Sequence, residues 1–179
     1  KLVYTLSPQE FEADLEKSTK IISRIIGQRP LGYRAPSWSV DRSVTPWFWQ
    51  ILKKHGYSYS SSLFPFKTFL YGDSSAPTTR HHIHNLLEIP PTVATFGQIR
   101  IPFSGGFYLR FFPLPFIKYF SQQKSTLFYI HPREIDINQP RLTNLSTKES
   151  LIHYFNIQGT YHKLESLLKT PTQSIIQSL

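Results

Sequence analysis

The sequence predicts an α/β fold with parallel strands, on three observations. Helix-period and strand-like segments alternate between Lys1 and Ser60, the order that folds into βα units. The strand candidates are short apolar runs, as strands covered on both faces tend to be. The composition is also that of a packed chain. Aromatic residues make up 15% and charged residues 17%, below the roughly 25% usual for soluble domains, and disordered segments show the opposite balance. A length of 179 residues suits one domain rather than two, expected over 1–170 with a frayed tail at 171–179.

The first helix follows from its punctuation. Ser7-Pro8-Gln9-Glu10 reads as a capping box with Pro at the first helical position. Phe11, Leu15, Ile22, Ile25 and Ile26 then recur at helical spacing, and Gly27 supplies the stop. Acids fill the first half while Lys17, Lys20 and Arg24 fill the second, which suits the helix dipole. Leu31–Arg34 reads as a buried strand running into Ala35-Pro36. Thr45-Pro46 opens a second helix through Trp47, Phe48, Ile51 and Leu52, ended by Gly56, and Tyr57–Ser60 is the next strand. From Ser61 to His84 the pattern dissolves into a long loop, a length more often functional than idle. Leu86–Pro90 and Thr92–Phe96 are strand candidates. Pro102–Pro115 holds Ser104-Gly105-Gly106 and an aromatic run to Tyr119. Leu127–His131 reads as an apolar strand, and a last helix is predicted over Tyr161–Lys169, capped by Thr160, with Leu164, Leu167 and Leu168 inward.

The formal charge of +9 admits anionic partners. The basic residues are dispersed, however, with Lys53-Lys54 an adjacent pair and no run of four, so nucleic acid is not an expected partner. The chain has no Cys, which excludes a disulfide scaffold and a thiolate zinc site. No apolar run reaches the ~18 residues of a membrane span. There is no Met and residue 1 is Lys, so an N-terminal portion is expected to be missing.

Chemistry in parallel α/β folds gathers at the carboxyl ends of strands. Two residues stand there: Arg34 and His131. His131, fixed by Pro132, is placed either as a general acid or base or as a strand cap. Arg34 needs a partner from another strand, whether for function or as a structural ion pair. Glu88, within Leu86-Leu87-Glu88-Ile89-Pro90, is a carboxylate among apolar residues, so it is either paired or has a raised pKa, a pattern that a site and a buried structural pair both produce. His81-His82-Ile83-His84 would put His82 and His84 on one strand face, a pattern open to a metal or to a surface basic cluster, with only Asp73 and Glu88 as local acids.

As an ordered set, five segments resemble the polysaccharide deacetylases, most closely the branch encoded with exopolysaccharide and exosortase systems. They are Gly32-Tyr33-Arg34-Ala35-Pro36-Ser37-Trp38-Ser39, Ser61-Ser62-Leu63-Phe64-Pro65, Leu87-Glu88-Ile89-Pro90, Pro102 through Arg110, and Tyr129-Ile130-His131-Pro132-Arg133-Glu134. His153-Tyr154 followed by Leu164, Leu167 and Leu168 resembles the tail of that branch. The resemblance covers nearly the whole chain and implies an α/β fold that is an incomplete, distorted (β/α) barrel. The activity it implies is metal-dependent removal of N-acetyl groups from a sugar polymer, with N-acetylated polysaccharide or oligosaccharide as partner. In such enzymes an Asp-His-His site holds a divalent metal, zinc above all, that activates water and stabilises the oxyanion. A second Asp is the base and a late-strand His protonates the leaving amine.

By the resemblance His131 matches that acid and Arg34 the Arg that orients the base. Glu88 is a looser match to a partner of either, and these three are the candidate catalytic residues. Phe128 stands where members line the pocket for the acetyl methyl, and Gly105, Gly106 and Tyr108 are placed on a loop near the substrate cleft. The departures are the metal motifs: the chain has no Asp-Asp pair and no His-x-x-x-His, and Arg133 replaces a usual Trp. The expectation is therefore a segment that holds the acid side of the site, binds no metal itself, is inactive alone, and either is poorly soluble or needs a partner, the missing N-terminal segment in trans being one candidate. Its localisation, cytoplasm or cell envelope, is left open. The competing expectation is a catalytically inactive remnant acting as a carbohydrate-binding or regulatory module, with the aromatic surplus and Arg133 as its support.

Overall fold

The computed structural model describes residues 1–68, 71–123 and 125–175 and divides the chain into two compact units, Lys1–Pro91 and Thr92–Leu179. The architecture is mixed α/β with a parallel-strand sheet.

In the first unit α1 spans Pro8–Ile26. Ser7 and Glu10 form the expected capping box, and Gly27 closes the helix with φ +74°, a left-handed conformation natural to glycine. β1 (Gly32–Tyr33), α2 (Phe48–Lys54) and β2 (Tyr59–Ser60) follow as predicted, except that α2 starts at Phe48 rather than Thr45. Then comes a hairpin of β3 (His81–Ile83) and β4 (Leu86–Glu88). The sheet order is β1-β2-β4-β3, with β1, β2 and β4 parallel and β3 antiparallel to β4. The long predicted loop thus ends in a strand at its histidines. His84 and Asn85, at φ +49° and +59°, make a two-residue turn that Asn tolerates and that carries no glycine to announce it.

Phe11, Leu15, Phe48, Trp49, Leu52, Tyr57, Leu63 and Leu86 form the core of this unit, each aliphatic or Phe side chain contributing about 1.5–3 kcal/mol by its burial. Phe11 sits edge-on to Tyr33 at 5.8 Å and 5.3 Å from Phe48, fixing α1 over β1 and α2. The inward stripe of α1 is Phe11, Leu15 and Thr19, whose hydroxyl meets the Tyr57 hydroxyl at 2.7 Å. Ile22, Ile25 and Ile26 are exposed, contrary to the predicted apolar face. The reason is length: α1 is about 28 Å long and α2 about 10 Å, so the second half of α1 overhangs its packing partner.

The second unit opens with the hairpin β5 (Val93–Phe96) and β6 (Ile99–Pro102), in register Phe96↔Ile99 across Gly97 at φ +58°. Among the described residues four α-helices follow: α3 (Gly106–Phe111), α4 (Leu114–Gln122), α5 (Thr147–Tyr154) and α6 (Ile157–Leu168). Ala94, Phe103, Leu109, Ile117, Phe120 and Leu167 form its core. Two cations tie the helices by their carbonyl ends. Arg110, 1% exposed, donates to the carbonyls of Ile152, His153 and Phe155 at 2.8–2.9 Å, the C-terminus of α5. Lys163 donates to Leu109, Arg110 and Phe112 at 2.7–3.1 Å, the C-terminus of α3. Each supplies donors to carbonyls that a helix end otherwise leaves unsatisfied.

Three expectations change here. Leu127–His131 is not a strand: Tyr129 makes a single parallel bridge to Gly105, whose chain then turns into α3, so no second pair forms. Thr160 is not a cap but an interior residue of α6, bonded to the carbonyl of Asn156, which occupies the N-cap at φ +48°. Leu168 points outward, 66% exposed. Of the tail expected to fray at 171–179, residues 171–175 carry no helix or strand, and 176–179 lie outside the described residues.

Candidate functional site

The register of the parallel strands brings the first group of candidates to one edge. Tyr33, Ser60 and Glu88 are aligned across β1, β2 and β4, so Arg34, Ser61 and Ile89 emerge together at the carboxyl ends. Arg34 donates from Nε to the Ser61 carbonyl at 3.1 Å and from Nη2 to Ser61 Oγ at 2.7 Å, and lies 5.8 Å from the Trp38 ring. The partner anticipated from another strand is thus Ser61. Ser61 Oγ in turn donates a hydrogen bond to the Ile89 carbonyl at 2.7 Å. Ser37 and Trp38 follow at φ +52° and +47°, left-handed conformations that cost non-glycine residues energy and that cluster at functional loops.

Glu88 is fully buried. Its Oε1 accepts the backbone N–H groups of Ser62 (2.7 Å) and Leu63 (2.9 Å), and Oε2 accepts Trp49 Nε1 (2.9 Å). These three N–H donors are the partners that the structure gives this carboxylate. The Ser62 hydroxyl in turn accepts Ala35 N–H at 2.9 Å and the Ser60 hydroxyl at 2.9 Å. Glu88 therefore pins the 61–63 turn that receives Arg34.

The second group lies in the other unit. His131 precedes a short 3₁₀ turn, Pro132–Glu134, and its ring is 54% exposed. Its Nδ1 lies 3.4 Å from Glu134 Oε1, and its backbone N–H donates to Glu134 Oε2 at 3.3 Å. Glu134 itself is only 2% exposed. The sequence reading passed over Glu134, although its place three residues beyond His131, across a Pro-initiated turn, was a usable signal. Arg133 Nη1 donates to His153 Nδ1 at 2.7 Å. Burial first, then Arg133 and Arg110, hold the His153 ring below its ordinary value, in the neutral form that accepts this bond.

Gly105 and Gly106 are not on a loop. Gly105 is the N-cap of α3, and a side chain there would collide with the carbonyl and ring of Tyr129. Gly106 opens the helix at φ +59°. Tyr108 is in α3, half-buried, and burial raises its phenol above the ordinary value. Phe128 packs against the second core, 6.4 Å from Phe103.

His81 and His82 fall on β3 and His84 in its turn, with His82 and His84 exposed. His84 has left the strand, so the shared face predicted for it and His82 is not formed. Among the described residues one group of three metal-capable side chains comes together, Glu12, Glu16 and His55. Glu12 Oε1 already takes Lys54 Nζ at 2.7 Å and His55 Nε2 at 2.5 Å. This ion-paired set does not fit the Asp-His-His ligands that the resemblance implies. A separate cavity of about 220 Å³ is lined by Tyr4, Trp38, Tyr71, Asp41 and Lys67, among others. Among the described residues no helix is long and apolar enough to cross a membrane.

Residues 61–178, about two-thirds of the chain, match the family described as Domain of unknown function (DUF3473), and the chain belongs to that family. No curated protein and no solved structure matches it.

Proposed function

With that membership as the premise, we propose that the chain is most of a polysaccharide deacetylase-like domain over 1–170, of distorted (β/α)-barrel type, that works in hydrolysis of N-acetyl groups on a sugar polymer. The association of this domain with polysaccharide deacetylases supports the reading. The observation that carries it is His131: an exposed imidazole backed by a buried carboxylate, the arrangement a general acid needs. A divalent metal, when bound, would supply water activation in such a reaction; the residues here do not fit it, and its ligands belong to sequence outside these 179 residues. What this chain's own residues do is narrower. His131 gives a proton to the amine nitrogen as the C–N bond breaks. Arg34, held by Ser61, orients the carboxylate of the base. Glu88 fixes the turn on which that arginine rests, and Phe128 backs the acetyl pocket.

The test is acetate release from N-acetylated oligosaccharide by the protein in the form that carries the metal ligands. His131→Ala is expected to lower turnover by roughly 10²–10⁴-fold, as loss of a general acid does. The 179-residue chain alone is expected to take up no stoichiometric zinc and to release no acetate.

A second reading, a carbohydrate-binding module without catalysis, is favoured by the aromatic cavity at Tyr4, Trp38 and Tyr71. Titration of the chain with acetylated and deacetylated oligosaccharides separates the two. Saturable binding that Trp38→Ala abolishes, together with no turnover when the metal ligands are supplied, would favour the module.

A further inference from the structure

We propose that the β5–β6 turn and the outer face of α4 form a docking surface for a membrane that carries anionic lipid. One apolar and one electrostatic observation carry it. The apolar one starts at the hairpin tip. Phe96 and Ile99 are paired in register across Gly97-Gln98, and both are exposed, Ile99 to 65%. The Phe96 ring lies 5.0 Å from Phe120 of α4, and the exposed Tyr119 ring lies 5.0 Å from the same Phe120. Phe120 is buried, so two exposed rings from different elements rest on one buried ring. The contacts continue along the segment. Phe116 lies 4.8 Å from Phe120, Phe112 is 4.5 Å from Phe116, and the exposed Phe111 is 5.2 Å from Phe112. Exposed apolar side chains scattered singly need no explanation, but ones joined in this way mark a contact surface.

Charge says what the surface fits. From Ile89 to Arg133 the sequence has no Asp and no Glu, yet it has Arg100, Arg110, Lys118, Lys124 and Arg133. Arg110 is buried and engaged with α5, but Arg100 follows Ile99 on β6 and Lys118 precedes Tyr119 on α4. The exposed apolar side chains of both elements thus have a cation beside them and no carboxylate along the segment. That is the make-up of an interfacial element, whose apolar side chains enter the headgroup layer while its cations meet lipid phosphates. Tyr suits this boundary, with an apolar ring and a hydroxyl that stays wet. A Lys on such a face keeps its methylenes with the rings and its ammonium in water. A sugar polymer asks for a different lining, with fixed polar groups to take its hydroxyl protons. Here the segment offers no carboxylate for that task, and Ile99 has no flat face on which a sugar ring can stack.

The experiment is flotation of the full 179-residue chain with vesicles of equimolar phosphatidylcholine and phosphatidylglycerol, and with vesicles of phosphatidylcholine alone. The expected result is co-flotation with the anionic vesicles, weakened by added salt, and little with the neutral ones. Phe96→Ser combined with Ile99→Ser should lower the partition coefficient by roughly tenfold or more, and Tyr119→Ser by less. Leu151→Ser, at a comparably exposed position of α5 that also carries Glu149, should leave it unchanged. Absence of co-flotation by the parent chain overturns the proposal, whether or not any variant folds. Binding that survives the hairpin substitutions in a folded chain overturns it as well. So does binding lost on Ile25→Ser with Ile26→Ser instead, which places the contact on α1. Self-association or oligosaccharide binding that the hairpin substitutions remove, with no binding to vesicles, overturns it and names the other occupant. The readout uses no turnover, so its outcome is separate from that of the deacetylase reading.

Discussion

Glu88 and Glu134 are both carboxylates removed from solvent, yet the molecule treats them in opposite ways. Glu88 spends its oxygens on three N–H donors that are themselves buried, two from the 62–63 backbone and one from Trp49. Every partner is fixed, and the result is a pinned turn at the end of the parallel strands. Glu134 faces an imidazole more than half exposed. Its partner can move and meet solute. Burial of a carboxylate therefore does not by itself say whether its partner meets solvent; the exposure of that partner does.

The sharpest way to break this comparison is to remove each carboxylate. Glu88→Ala orphans three buried donors and is expected to cost roughly 3–5 kcal/mol in chemical denaturation. Glu134→Gln, which keeps an acceptor oxygen opposite an exposed ring that can also reach water, should cost about 1 kcal/mol or less. Equal losses at the two positions would erase the distinction.

The same contrast runs along α1. Leu15→Ala, at a buried position, should cost about 2–5 kcal/mol, while Ile25→Ala on the overhanging half should stay within about 0.5 kcal/mol. Arg110→Met tests a buried cation whose partners are all carbonyls. Losing those charge-assisted bonds should cost about 2–4 kcal/mol and loosen α5, visible as faster amide exchange at 152–155.

The smallest effect concerns pH. The folded state holds His153 below its unfolded value of about 6.5, so the unfolded chain binds more protons and stability rises with pH. The contribution is present above the unfolded value and is lost as pH falls from there through the lowered folded one. The groups facing the ring are Arg133 and Arg110. His153→Gln, neutral throughout, should flatten that limb of the denaturation midpoint against pH.

Much of the first unit was legible because its elements are punctuated. Ser7, Pro8, Gly27 and Gly56 are residues whose backbone and capping chemistry have few alternative uses, and the strands between them are continuous apolar runs. The second unit hides its order. α3 starts at two glycines and continues through aromatics, none a strong helix former. Gly105 is required by the approach of Tyr129 and Gly106 by its positive φ, neither of which local sequence shows. β6 follows a two-residue turn with one glycine, and α5 carries a capping box at Ser146 and Glu149 that the sequence reading passed over. For the site, Arg34, Glu88 and His131 were visible as polar residues at the ends of apolar runs. Ser61 as the seat of Arg34 depends on strand register, and Glu134 on a turn that folds its side chain backward. Neither follows from periodicity.

The central claim is that His131 is a general acid. It is tested most directly by steady-state acetate release from an N-acetylated oligosaccharide, comparing His131→Ala with the parent protein under saturating metal in the form that carries the metal ligands. The account predicts a fall in turnover of roughly 10²–10⁴-fold with folding unchanged. Equal turnover in the two proteins, or no acetate from the parent, would contradict it.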